Sequence, residues 1–451
     1  MSFAPLTPIA TLLSDLEAGR TSAAALLETA LQRAADPAGE GGRAFVKLTP
    51  ETARAEAEAS DRLRRAGVAP RPLDGLPISI KDLFDVRGHV TTAGSRVMAG
   101  EPAATADAPA IARLRAAGAV LVGRTNMTEF AFSGIGINPH YGTPANPWDR
   151  ATRRIPGGSS AGAAVSVADG MATVGIGSDT GGSVRIPSGL CGLAGFKPTQ
   201  RRVPTAGACP LSTSLDSIGP LAPTIACAAR VHQVMAGETV RSIARWPVAG
   251  LRLAVPQSFV LEDLDDTTAR TFEAALSRLS AAGAIVTEIP FRELLDIADA
   301  NAKGGFAAVE CYEAHARHVL RDPDAFDPRV LVRIRRATDQ SAIDYITLVR
   351  RRAEIQAACN RVSAPFDAVV MPTTARIAPP IAEMEESDAA FAKTNLLMLR
   401  NCAVGNFLDR CASTVPVNEP GSAPVGLMLM GETMGDDALL SVTAAVEAVF
   451  R

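Results

Sequence analysis

The chain has 451 residues, 47% hydrophobic and 21% charged, with a formal net charge of −3. That composition supports a large core and excludes wholesale disorder, and 37 glycines and 31 prolines are too few for a collagen-like or low-complexity chain. Only 4% of residues are aromatic and there is no basic excess, so neither a base-stacking platform nor a field for nucleic acid or anionic lipid is present.

Residues 5–66 read as helices. Leu12, Leu13 and Leu16 share helical spacing, and Thr21 or Ser22 can cap the run AAALLETALQRA. The N-terminal stretch lacks the basic and apolar regions of a secretory signal, and no apolar run approaches the roughly 20 residues of a membrane span. A soluble, cytoplasmic protein is expected. Gly75–Asp82 (GLPISIKD) reads as a short apolar strand, 110–117 as a helix begun by Pro109, and 119–123 as a second strand. Strand–helix–strand rhythm argues for an α/β sheet.

Residues 133–220 are dense in Gly, Ser and Pro but interleaved with Val, Ile, Leu and Ala. They read as tight turns packed inside a core, not as a flexible linker. From 251 the rhythm resumes: strands at 251–256 and 284–289 around a helix at 266–282, helix through 305–362, strands at 367–371 and 425–430, and a terminal helix at 436–450. No repeat or linker interrupts 1–451, so a single domain is expected.

Seven cysteines, an odd number without C-x-x-C spacing, argue against a disulfide framework or zinc site. His315 and His318 stand three apart without an H-E-x-x-H pattern and read as surface helix residues. No metal and no cofactor are expected. Gly175–Thr180 and Gly192–Lys197 each depart from a phosphate-loop pattern at a required position, so both read as structural turns.

Gly158–Gly162 matches G-x-S-x-G around Ser160, but the stretch before it is polar and no late histidine follows. S-x-x-K is absent at all five lysines. Lys81 is the unusual one, because it ends an apolar strand. Read locally, it snorkels to the surface, pairs with Asp82, or is buried and neutral. A buried neutral lysine can act as a base, which arginine cannot.

GLPISIKD at 75–82, PGGSSAG at 156–162 and GSDTGGSVRIP at 177–187 together resemble the amidase signature family, and GRTNMTEF at 123–130 and GLAGFKPT at 192–199 agree. The resemblance implies a single large mixed β-sheet flanked by helices, an α/β/α sandwich. It divides the chain into an N-terminal helical region 1–70, a signature core 71–225, a more variable pocket region 226–400, and a C-terminal strand and helix 401–451. By the same resemblance, Ser183 is the nucleophile, Ser159 a bridging serine after a cis Gly158–Ser159 bond, and Lys81 the terminal base. Backbone N–H groups of Thr180, Gly181, Gly182 and Ser183 are expected to meet the oxyanion. Ser160, Asp179 and Arg185 are expected to hold the loop, and Ala131 and Phe132, with Ser159, to touch substrate. Ala161 stands where many members have glycine.

The implied reaction is cleavage of a C–N amide bond in a small molecule through an acyl-enzyme, with water as second substrate. Aryl esters, anilides and carbamates are within the same chemistry. Phe306, Tyr312 and Met398 offer apolar material for the pocket. The run Asn406–Cys411 also resembles members acting on urea-like compounds such as allophanate or biuret derivatives. A glutaminase-like subunit of a tRNA-dependent amidotransferase is the alternative from another class. A catalytically dead scaffold would lack a triad member, and all three are here. A monomer or homodimer without nucleic acid or membrane partners is expected.

Overall fold

The computed structural model describes residues 6–451, so the start of the expected N-terminal helical run at residue 5 lies outside the described residues. Among the described residues there are eleven strands: β1 (Phe45–Leu48), β2 (Pro77–Lys81), β3 (Val120–Thr125), β4 (Val174–Asp179), β5 (Ala194–Lys197), β6 (Ser217–Ala222), β7 (Arg252–Pro256), β8 (Ile285–Ile289), β9 (Ala368–Pro372), β10 (Ala412–Pro416) and β11 (Gly426–Met430). They form one sheet in the order β1-β3-β2-β4-β6-β5-β10-β11-β9-β7-β8. β3, β2 and β4 are parallel neighbours, as are β9, β7 and β8, and the strands between pair antiparallel. The sheet is the large mixed one expected, with helices flanking it.

Parallel strands covered on both sides need near-continuous apolar sequence. β2, Pro-Ile-Ser-Ile-Lys, is buried at every position. Successive side chains leave opposite faces. Ile78 and Ile80 join a core with Ile111, Leu114 and Val231. Ser79 instead bonds Ser166 at 2.8 Å on the helix Ala161–Ala168, and Lys81 shares its side of the strand.

Several elements depart from the reading of the sequence. β1 lies in the stretch expected to be helical. β4, β5 and β6 run through the segment expected to be turns, and β10 was not anticipated. Their glycines conceal them, since glycine is a poor strand former. Here it admits close neighbours: a Cβ on Gly177 of β4 would stand 2.6 Å from Ser160 Oγ. The expected helix 305–362 is three helices, Gly305–Arg321, Pro328–Arg335 and Ala342–Ser363. His315 and His318 are buried, contrary to the surface position expected of them. Phe130 packs on the His315 ring at 4.4 Å, and His315 Nε2 donates to Pro210 O at 2.9 Å.

No helix among the described residues is long and apolar enough to cross a membrane. Among them no group of three or more His, Cys, Asp or Glu is placed to hold a metal, and all seven cysteines are free.

Candidate active site

β2 and β4 are adjacent and parallel, so both end at the same edge of the sheet. Lys81 ends β2, Ser178 and Asp179 end β4, and the loop Thr180–Ser183 follows at once. Lys81 is fully buried. Its Nζ lies 2.7 Å from Ser159 Oγ and 2.9 Å from Ser178 Oγ. Burial drives its pKa down to about 7, although the charges of Asp179 and Asp216 pull the other way. Of the three local readings of Lys81, snorkelling and pairing with Asp82 both fail. Asp82 is held instead by Arg124 Nε at 2.6 Å.

Ser159 follows a cis peptide bond from Gly158, as the resemblance implied. It immediately precedes the helix Ala161–Ala168, and no strand leads into the turn, so Ser160 does not sit on a strand–turn–helix elbow. Ser160 N–H donates to Ser183 O at 3.3 Å, joining the two serine segments. Ala161 is the first residue of that helix. Ser183 Oγ has no hydrogen-bond partner among the described residues and is not sealed from solvent.

The loop's shape comes from Asp179. This buried carboxylate accepts from Gly182 N–H at 2.9 Å, Val184 N–H at 3.1 Å and Arg185 Nη2 at 2.8 Å. Burial alone would raise its pKa, but the Arg185 charge and hydrogen bonds overcome this and hold it well below the usual carboxylate range. Asn406 completes the clamp, donating from Nδ2 to Asp179 Oδ1 at 2.9 Å and accepting from Arg185 Nη2 at 2.6 Å. Asp179 thus bonds both the backbone of the Thr180–Ser183 loop and the Arg185 guanidinium. One expected donor is otherwise engaged: Gly182 N–H is taken by Asp179. Thr180, Gly181 and Ser183 N–H groups have no acceptor among the described residues.

Ala131 and Phe132 are both buried. Phe130 and Ala131 adopt positive φ, 48° and 59°, a costly conformation for side chains of this kind. Buried Glu129 secures the turn by accepting from Ser95 Oγ at 2.6 Å and Asp327 N–H at 2.7 Å. Beyond it, Asn395 Oδ1 accepts from Gly134 N–H at 2.8 Å, and Gly134 O accepts from Gly158 N–H at 2.8 Å. The helix Asp388–Phe407 therefore braces the serine segment through one backbone residue. Phe306 and Met398, expected to furnish the pocket, are fully buried in the core with Met371 and Met428, and Tyr312 packs on the other core. Leu399 is the residue that meets the loop, 3.5 Å from where a Gly181 Cβ would stand.

Ser178, Asp216, Asn395 and Leu399 escaped the reading of the sequence. Asp216 accepts from Thr180 Oγ1 at 2.5 Å, and burial lifts its pKa to about 6 against that bond and its backbone donors. A polar Ser-Asp ending an apolar strand was the one available signal for Ser178.

A family profile described as Amidase matches residues 25–440. The chain belongs to the amidase family. It is 38% identical over 403 residues to a 2-amino-5-chloromuconic acid deaminase of Comamonas testosteroni, covering 88% of this chain and 86% of that one. It is 34% identical to a glutamyl-tRNA(Gln) amidotransferase subunit of Chloroflexus aggregans, covering 96% of this chain and 94% of that one. A crystal structure of an amidase superposes with a TM-score of 0.89 at 32% identity, covering 99% of this chain and all of that one. The fold that brings the ends of β2 and β4 together is therefore shared with a solved amidase.

Proposed function

We propose that this chain is a serine amidohydrolase that cleaves C–N bonds of small molecules. The observation that carries the reading is the buried Lys81 amine, 2.7 Å from Ser159 Oγ, with a pKa near neutrality. A serine hydroxyl is too weak an acid to attack an amide unaided. Neutral Lys81 donates an N–H to Ser178 Oγ and keeps its lone pair for the Ser159 proton. Ser183 Oγ attacks the carbonyl carbon while its proton passes to Ser159 and that of Ser159 to Lys81. The carbonyl oxygen becomes an oxyanion, met by the free N–H groups of Thr180, Gly181 and Ser183. Collapse breaks the C–N bond, and the amine leaves with the proton returned from Lys81. Water then attacks the Ser183 ester by the same relay, releasing the acid and restoring the serine.

The substrate we propose carries a negative charge on its acyl part. Arg333 Cζ lies 4.7 Å from the centre of the Phe132 ring, beside the expected acyl pocket. It has no hydrogen bond or ion pair among the described residues, and burial together with Arg336 pushes its pKa down to about 10. An anionic group would relieve that position. The Comamonas relative is named for an acid. Anilides, aryl esters and carbamates undergo the same acyl transfer.

A release assay on the purified chain alone tests this reading. The panel is p-nitroacetanilide, a p-nitrophenyl carbamate, benzamide, succinamic acid, butyramide and glutamine, with Ser183→Ala as blank. Turnover of small amides, with succinamic acid ahead of butyramide, is the expected result. Turnover of glutamine alone would favour the amidotransferase alternative, and turnover surviving in Ser183→Ala would overturn the assignment.

A further inference from the structure

A group of cations lies on the face of β2 opposite the Lys81 amine. A cavity of about 320 Å³ is lined by Thr52, Glu56, Ile80, His89, Arg115 and Arg124 among others. Ile80 and Lys81 are successive strand residues, so this cavity and the Lys81 amine occupy opposite sides of the sheet. Arg124, the penultimate residue of β3, pairs with Ile80, and its side chain is only 3% exposed.

The hydrogen bonding in this cavity is incomplete. Arg124 uses Nε and Nη2 on the Asp82 carboxylate and carbonyl, while its buried Nη1 has no partner. His89 Nδ1 is likewise buried and unpartnered. Arg115 Nη1 bonds Glu56; its Nε stands 3.0 Å from Asp107 without hydrogen-bond alignment. Leaving a buried charged donor unmet is unfavourable, more so than for a neutral one. Arg87 also lines the cavity, and Lys47 is near enough to act on His89. Burial first, then the charges of Lys47, Arg124 and Arg115, hold the His89 imidazole below its usual pKa, with Asp107 opposing. Facing these cations are Glu56, Asp107 and Asp82. Glu56 is itself shifted up by burial, against its bonds to Leu121 N–H and Arg115. The unmet groups include guanidinium donors, and the surroundings are cationic.

We infer that this cavity binds a compact oxyanion, a phosphate or small carboxylate, through Arg124 Nη1, Arg115 and His89. Water could meet these donors, but an anion meets them with charge-assisted bonds, which are roughly twice as strong. A volume of about 320 Å³ is room enough for such an anion with part of its hydration. Nothing in this inference depends on the amidase reaction, because no residue of the proposed relay lines the cavity.

Thermal unfolding of the full chain tests it, at neutral pH and constant ionic strength with potassium chloride as the balancing salt. Orthophosphate is titrated in one arm and succinate in the other. A saturable rise in Tm with either is expected, and the arm that saturates first identifies the chemistry. Ala55→Glu places a carboxylate at the cavity wall on an exposed helix position, and should weaken the midpoint concentration by about tenfold. Arg87→Ala, also at an exposed position, should weaken it severalfold and serves if the first variant folds poorly. No saturable rise with either anion overturns the inference, as does a rise of the same midpoint in both variants.

Discussion

Lys81 Nζ lies 2.7 Å from Ser159 Oγ although none of the lysine side chain reaches solvent. The two residues are 78 positions apart in sequence. They meet because β2 carries Lys81 to the sheet edge where the helix Ala161–Ala168 begins just after Ser159. Desolvation favours the neutral amine that the proposed relay needs.

Activity should therefore rise with pH. With the Lys81 pKa at about 7, kcat/KM should climb through neutrality and level off above it. Lys81→Arg should lose at least a hundredfold in kcat, because arginine keeps its proton. The linked effect on stability has the same sign. Below about 7 both the folded and the unfolded chain hold the proton, whereas between about 7 and the ordinary lysine value of 10.5 only the unfolded chain does. Lys81 thus contributes a rise in stability with pH across that window, up to about 1.4 kcal/mol per pH unit. Buried Lys197, whose pKa is lowered to about 8, adds its own slope to both chains, so urea unfolding of the native chain and Lys81→Met across the window should differ by the Lys81 slope, steeper in the native chain.

In the proposed relay Ser178 positions the Lys81 amine. Ser178→Ala removes the 2.9 Å contact to Lys81 Nζ and leaves the amine one fixed partner. About a tenfold fall in kcat with little change in KM is expected, together with a displaced pH midpoint. A purely structural serine would change stability and leave the pH profile where it was.

Much of this site was legible because its chemistry is local. Lys81 ends an apolar strand, and the Gly-Ser motifs around Ser159 and Ser183 are contiguous. What was not legible lies in long-range contacts. Asn406 reaches Asp179 across 227 positions, and Asn395 reaches Gly134 across 261, from a helix whose sequence shows no mark of the task. The fold was readable where strands are rich in branched residues, as in β7 and β9. It was hidden in β4, β5, β6 and β10, whose Gly, Ser, Thr and Pro read as turns. Those residues form strands because tertiary packing overrides propensity. The buried His315 was misread for a related reason, since its partner Pro210 O is 105 positions away.

Asp179→Asn should be destabilising as well as inactivating. It leaves the fully buried Arg185 without its anion, and breaking a buried pair this way costs about 3–5 kcal/mol. The urea midpoint should fall, with the m-value unchanged if the native state stays compact.

Gly182 and Gly181 should respond differently to alanine. Gly182 has φ +125°, and a Cβ there would stand 2.5 Å from Cys402 Cβ and 2.6 Å from Ile186 Cδ1. Gly182→Ala must move the loop that carries Ser183, and about a hundredfold loss of kcat is expected. A Gly181 Cβ meets only Leu399, at 3.5 Å. Gly181→Ala should fold as the native chain does, with stability unchanged or higher by about 0.4–1 kcal/mol. Circular dichroism and kcat on both variants separate the two cases.

Arg333→Met should raise KM for succinamic acid about tenfold and leave butyramide nearly unaffected, as loss of one charge-assisted contact implies. Equal effects on both amides would show that Arg333 supports the Phe132 turn without meeting substrate charge.

The most direct measurement is acid-quenched peptide mass spectrometry during turnover of a p-nitrophenyl acyl ester. A relay ending on Ser183 predicts a single acyl group on the peptide containing that residue, carried by the native chain and absent from Ser183→Ala. Sustained turnover with Ser183 unlabelled, or label on Ser159 or Ser160 instead, would contradict it.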